Sequence, residues 1–188
     1  MRLLCSFVIA ISAIVALAGC SEKPENTRKQ RGRQVLIDLS QQHAWLMDGG
    51  KILNDTPVTT GKKAHRTPSG RFVIRRKERF HQSATYGSYL SPTSHRVVVS
   101  GVDRRRYYGV RDLQFEGAAM NYFMEFAPGI AMHAGRLTSF PSSHGCVRLP
   151  PIAAKRFFEL LDVGCAVRIK RSGVTLPKDG SPIFLAGE

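Results

Sequence analysis

A thiol and an imidazole lie within short reach of each other in this chain. His133 ends the apolar run Ile130-Ala131-Met132, and Ser143-His144-Gly145-Cys146 then sets a hydroxyl, a second imidazole and a glycine directly ahead of a cysteine. Cysteine attacks a carbonyl carbon as thiolate, and a neighbouring imidazole is the usual means of generating it. The thirteen positions from His133 to Cys146 are enough for a loop that folds the two together. Gly145 admits close approach of a backbone or a substrate, and consecutive N–H groups there could face a developing oxyanion. In an extended segment His144, Cys146 and Arg148 share one face, because strand side chains alternate. Thiol, imidazole and guanidinium together suit a carbonyl substrate that also carries a carboxylate.

Plainer readings compete at this point. A lone cysteine is commonly a small buried hydrophobe and a lone histidine a satisfied core or surface residue. A zinc site needs about four Cys, His, Asp or Glu ligands, and His133, His144 and Cys146 have no CxxC or HExxH partner. No metal is assigned to them.

The stretch His133-Ala134-Gly135-Arg136 through Ser143-His144-Gly145-Cys146-Val147-Arg148-Leu149-Pro150 resembles the catalytic signature of the L,D-transpeptidase (YkuD-domain) family of peptidoglycan-modifying enzymes. The Thr67-Pro68-Ser69-Gly70-Arg71-Phe72 element resembles the start of the same domain. The resemblance implies that Cys146 is the nucleophile and His133 the general acid and base. It implies that Ser143, His144 and Gly145 shape the oxyanion and thiol pocket, and that Arg148 holds a substrate carboxylate. It further implies a mainly β fold, a β-sandwich with one or two packed helices, no cofactor, and acylation of Cys146 by carbapenems. The gap between His133 and the Ser-His-Gly-Cys run is shorter than in many members and matches a short-loop subgroup, which bears on donor and acceptor preference.

The elements that must position these residues are short strands. Val35, Ile37 and Leu39 alternate with Leu36, Asp38 and Ser40, and Asp48-Gly49-Gly50 is a hairpin signal before Ile52, Leu53 and Val58. Thr67-Pro68-Ser69-Gly70 is a turn with proline pre-set at its second position, after which Phe72 and Ile74 resume the alternation. Arg75 to Arg79 reads as a solvated strand end or loop. Residues 80–117 read as a long irregular insertion with one strand at Val97-Val98-Val99. Loops of that length are usually lids or binding loops, so the insertion is expected to cover the donor groove, with contacts from Tyr86, Tyr89, Tyr107 and Tyr108. His81 and His95 read as surface histidines. Met120 to Phe126 is a further strand, and Pro128-Gly129 turns into the His133 strand. Pro151 fits the first turn of a helix that buries Ile152, Phe157, Leu160 and Leu161 and stops at Gly164. The strand from Cys165 to Ile169 closes the domain, with Cys165 facing the core and no Cys146–Cys165 disulfide expected.

The remainder assigns a compartment. Leu3 to Ala18 is an apolar run too short for the roughly 20 residues of a bilayer span, and Leu17-Ala18-Gly19-Cys20 resembles a lipobox. The expected organisation is a lipoprotein signal peptide over 1–19, lipidated Cys20 and a basic flexible linker over 20–33, the catalytic domain over 34–171 and a tail without core signature over 172–188. Ser21 after the cysteine points, by resemblance to the Gram-negative sorting rule, to the outer rather than the inner membrane, with the domain facing the periplasm. The formal net charge of +14 favours an anionic partner: nucleic acid, anionic lipid or an acidic polymer. A secreted lipoprotein without a nucleic-acid-binding motif leaves the last two.

Three functions follow. The first is an envelope L,D-transpeptidase that joins peptidoglycan tetrapeptide stems to an amine acceptor. The second is an L,D-carboxypeptidase or amidase using the same residues with water. The third is a non-catalytic peptidoglycan-binding lipoprotein, which would have no use for His133, His144 and Cys146 together.

Overall fold

The computed structural model describes residues 32–107 and 111–174. The expected leader, Cys20, the linker up to residue 31, Tyr108 and the tail beyond residue 174 lie outside them. The fold is mainly β, with one helix among the described residues.

The first sheet grows from the hairpin signals. Strands β1 (Arg33–Asp38), β2 (His43–Asp48) and β3 (Lys51–Pro57) run antiparallel in sequence. The β2–β3 turn holds Gly49 and Gly50 at φ 56° and 86°, the left-handed pair that a two-residue hairpin requires. Strand β12 (Ala166–Lys170) joins parallel to β1, and β4 (Gly70–Val73) closes the order β3-β2-β1-β12-β4. Both faces of β1 are covered. Val35 and Ile37 enter the main core, while Leu36 packs with Trp45, Met47 and Val174. The expectation that nothing beyond Arg171 contributes to the core is therefore corrected. Val174 is 8% exposed, fixed by its N–H to Asp38 Oδ2 at 3.1 Å and its carbonyl to Gln41 Nε2 at 2.7 Å.

The second sheet has the order β11-β10-β9-β5, from β5 (Arg76–Glu78), β9 (Phe123–Ala127), β10 (Ile130–Ala134) and β11 (Val147–Leu149). Met124, Phe126, Met132, Val147 and Leu149 from this sheet meet Val35, Ile37, Leu46, Val167 and Ile169 from the first in one core. Helix α1 (Pro151–Leu160) closes that core and packs against β10. Proline opens the helix as expected, but its buried face is Ala153, Ala154 and Phe157, and Ile152 is 86% exposed. The two small alanines let α1 approach β10, and that turns Ile152 to the solvent side. Cys165 is buried in the core, and Cys146 and Cys165 are both free thiols.

Two segments differ from expectation. The Arg75–Arg79 run forms β5, paired with β9. Its Lys77 turns inward: Nζ donates to the Phe158 carbonyl at 2.7 Å and to the Leu161 carbonyl, and sits 4.4 Å from the Phe158 ring centroid. A cation there satisfies carbonyls at the helix C-terminus that have no intrahelical partner. The described residues of 80–117 are not irregular. They form β6 (Gln82–Leu90), β7 (Val97–Asp103) and β8 (Gln114–Ala119), a three-stranded antiparallel sheet in the order β7-β6-β8. These strands are rich in Ser, Gly, Thr and Tyr, so their order comes from cross-strand pairing rather than from an alternating apolar face.

Candidate active site

Strands β10 and β11 pair in parallel, with His133 beside Arg148. Cys146, just ahead of β11, therefore lies beside Ala131, whose N–H is 3.5 Å from Sγ. On its other side Sγ faces the Gly129 carbonyl at 3.9 Å. The crossover between the two strands is pinned on the chain that follows β3: Thr138 N–H donates to Thr59 Oγ1 at 2.7 Å, and Ser142 and Ser143 N–H both donate to the Thr60 carbonyl at 3.0 Å.

His133 is 6% exposed. Its Nδ1 lies 2.8 Å from the Ala134 carbonyl. A carbonyl only accepts, so Nδ1 carries the proton and Nε2 is left as the basic atom. Burial, reinforced by Arg148 and His81 and opposed by the Ala134 carbonyl, pushes the imidazole pKa down to about 4. Burial also pushes the Cys146 thiol up, against the pull of the Ala131 N–H and Arg148. Both shifts favour the uncharged forms, so thiol and imidazole are both neutral at rest.

The turn ahead of the thiol is held from within and from below. Ser143, 1% exposed, donates from Oγ to the Cys146 carbonyl at 2.5 Å and accepts the Gly145 N–H at 3.1 Å. Gly145 sits at φ 116°, a conformation other residues rarely adopt. Thr67 Oγ1 accepts the Gly61 N–H at 2.9 Å and donates to the Gly145 carbonyl at 2.8 Å. The Thr-Pro-Ser-Gly element thus supports the turn directly. One expectation changes here: the Gly145 N–H is taken by Ser143 and is not available to a substrate oxygen.

His144 joins two parts of the molecule. Its ring stacks on Tyr86 of β6 at 4.2 Å and 17°, lies 5.0 Å from the His65 ring, and its Nε2 is 3.3 Å from Lys62 Nζ. Burial and then the Lys62 charge lower its pKa, so Nε2 accepts from the ammonium. Tyr86 is in turn held by Arg105, whose Nη2 donates to the phenol oxygen at 3.1 Å. Arg148 lies half-buried and makes no ion pair among the described residues.

A cavity of about 390 Å³ opens over these groups. Ser143, His133, His144, Cys146 and Arg148 line it together with Tyr86, so the side chains expected to act together do share one space. A second cavity of about 430 Å³ beneath the β6–β8 sheet shares Tyr86, His144 and Arg148. Of the other expected tyrosines, Tyr89 is buried against Phe115 and Tyr107, and neither Tyr89 nor Tyr107 lines either cavity. Among the described residues no three His, Cys, Asp or Glu side chains are grouped to hold a metal.

The far wall carries residues that sequence reasoning passed over: Arg76, His81, Glu125 and Arg136. His81 was expected to be a surface histidine. Instead its ring stacks on Phe123 at 4.0 Å, and its Nδ1 is 2.6 Å from Glu78 Oε2. The local signal was Glu78 three positions ahead of His81. Its meaning depended on β5 pairing with β9, which places Phe123 beneath the ring.

A family model described as the YkuD L,D-transpeptidase catalytic domain matches residues 32–169. The chain belongs to this family. Solved structures agree in fold. An L,D-transpeptidase from Stackebrandtia nassauensis superposes with a TM-score of 0.54 at 26% identity, over 76% of this chain and 58% of that one. An L,D-transpeptidase from Mycobacterium smegmatis gives 0.57 at 19%, over 74% and 58%. An L,D-transpeptidase solved in complex with imipenem gives 0.55 at 19%, over 74% and 59%. This chain therefore spans about three-fifths of the length of those proteins. No curated protein sequence matches it significantly.

Proposed function

We propose that this protein is an envelope L,D-transpeptidase that acts on peptidoglycan stem peptides through a Cys146 acyl-enzyme. The observation that carries the reading is the lining of one cavity by the Cys146 thiol, a buried His133 whose Nε2 is left as base, and an Arg148 that makes no ion pair among the described residues.

Because thiol and imidazole are both neutral at rest, His133 acts as a general base during attack rather than as the partner of a preformed thiolate. Nε2 takes the thiol proton as sulfur adds to the carbonyl carbon of the third, diaminopimelate-type residue of a tetrapeptide. The oxyanion is met by backbone donors of the turn. The His144 and Cys146 N–H groups make no hydrogen bond within the described residues, whereas that of Gly145 is committed. Collapse expels D-alanine, whose nitrogen receives the proton from His133, and leaves a thioester. An amine acceptor then displaces sulfur. Arg148 pairs with a substrate carboxylate, and Tyr86 forms a wall of the donor groove. The basic surface and a lipid on Cys20 keep the enzyme beside its anionic polymer, on the periplasmic face of the outer membrane.

Mass spectrometry of the protein mixed with disaccharide-tetrapeptide tests this against Cys146→Ala. Loss of D-alanine with a 3–3 linked dimer is the expected result. Release of D-alanine with tripeptide alone would identify water as the acceptor, and no Cys146-dependent product would refute the reading. Cys20→Ser is expected to move the protein from the membrane to the soluble fraction of cells.

A further inference from the structure

The acceptor step has a proton balance that His133 alone does not meet. An alkyl amine, with a pKa near the 10.4 of lysine, arrives at neutral pH as ammonium. In the overall step the thioester and R–NH3+ give an amide, a free thiol and one proton. The C–S bond breaks, the C–N bond forms, and nitrogen sheds two protons. One returns to sulfur through His133 Nε2. The other goes to solvent before attack, which leaves little neutral amine at pH 7, or to a second base in the same cavity.

We propose that His81, held by Glu78, is that base and receives the surplus proton of the incoming amine. The proposal rests on the transpeptidase reading above. Its geometry resembles that of an oriented catalytic imidazole. The Glu78 carboxylate, held ionised by its bond to His81, only accepts, so Nδ1 at 2.6 Å is the donor and Nε2 carries the lone pair. Stacking on Phe123 fixes the ring plane, and His81 lines the cavity that holds Cys146 and His133. Glu78 is itself held by Arg76, which also donates to Glu125 Oε2 at 3.1 Å, while Glu125 Oε1 accepts the Gly129 N–H at 3.0 Å. The charged and titratable groups around His81 are thus Glu78 and Arg76 of β5, Glu125 of β9 and His133 of β10, with Tyr86, Arg136, His144, Cys146 and Arg148 lining the same cavity. A proton taken at Nε2 is stabilised by Glu78 and passes to solvent at the cavity mouth. A water acceptor arrives neutral and does not require this base before attack, so the role is specific to amines.

The test uses the full-length protein, acylated by disaccharide-tetrapeptide and then offered two acceptors at pH 7. One is a strongly basic primary alkyl amine, and the other is hydroxylamine, already neutral at that pH. His81→Gln and Glu78→Gln are expected to lower the ratio of transfer to the basic amine over transfer to hydroxylamine on the order of 10²-fold. The deficit is expected to shrink as pH is raised toward the pKa of the amine. Glu78→Gln leaves the Phe123 stack untouched and carries the test if His81→Gln does not fold. An unchanged ratio, whether both rates hold or both fall together, would overturn the proposal. Failure of the wild type to release D-alanine before any acceptor is added would instead overturn the transpeptidase reading.

Discussion

Replacing His133 by asparagine should change how stability depends on pH. In the unfolded chain the imidazole titrates near 6.5, whereas burial lowers the folded value to about 4. Above pH 6.5 the histidine is neutral in both states and contributes no pH dependence. Below 6.5 the unfolded chain takes up a proton that the folded protein refuses until about pH 4, so acidification stabilises the unfolded state. At roughly 1.4 kcal/mol for each tenfold difference in proton affinity, the loss accumulates to about 3 kcal/mol by pH 4. Asparagine can keep a donor to the Ala134 carbonyl but does not titrate. Urea unfolding of wild type and His133→Asn, followed by fluorescence of the single tryptophan, Trp45, which is buried, should therefore give curves that converge as pH falls from 6.5 to 4. Other acid-sensitive groups, such as Asp38 with its depressed pKa, cancel in the comparison. A difference that stays constant over that range would refute the buried neutral imidazole. A wild type that gains on the variant at low pH would show instead a raised pKa, the signature of an imidazolium–thiolate pair.

Three other perturbations have outcomes fixed by single contacts. Ser143→Ala removes the hydroxyl that joins the Gly145 N–H to the Cys146 carbonyl. It should cost about 1–3 kcal/mol in denaturant unfolding and slow D-alanine release more than it weakens substrate binding, because in the proposed mechanism the turn carries the oxyanion donors. Lys77→Met leaves the Phe158 and Leu161 carbonyls without their ammonium and should lower stability by about 1–2 kcal/mol, with turnover within twofold of wild type. A chain ending at Arg171 lacks Val174 and uncovers Leu36, Trp45 and Met47. It should lose about 1.5–3 kcal/mol for that side chain and show a red-shifted Trp45 emission, and unchanged emission would refute the packing.

Much of the molecule is written in short-range chemistry. That Cys146, His133, Ser143, His144 and Arg148 line one cavity was foreshadowed by their close spacing, whereas the roles proposed for them came from resemblance to the family signature. The β2–β3 hairpin was legible because Gly49 and Gly50 occupy left-handed backbone, and the start of α1 because proline tolerates its first turn. What tertiary structure decided is of another kind. The β6–β8 sheet has no apolar alternation to announce it, since its order comes from cross-strand pairing among three successive strands, and the fold brings its Tyr86 onto His144. Lys77 and His81 look alike in sequence to any solvated charge, yet β5 pairing with β9 turns one under the helix end and the other into the cavity that Cys146 and His133 line. Val174 follows a polar tail and is buried only because Asp38 and Gln41 wait for its backbone. Residue type alone gives His133 an ordinary imidazole. Removal from water between two strands sets its charge, because desolvation belongs to the folded surroundings and not to the sequence beside it.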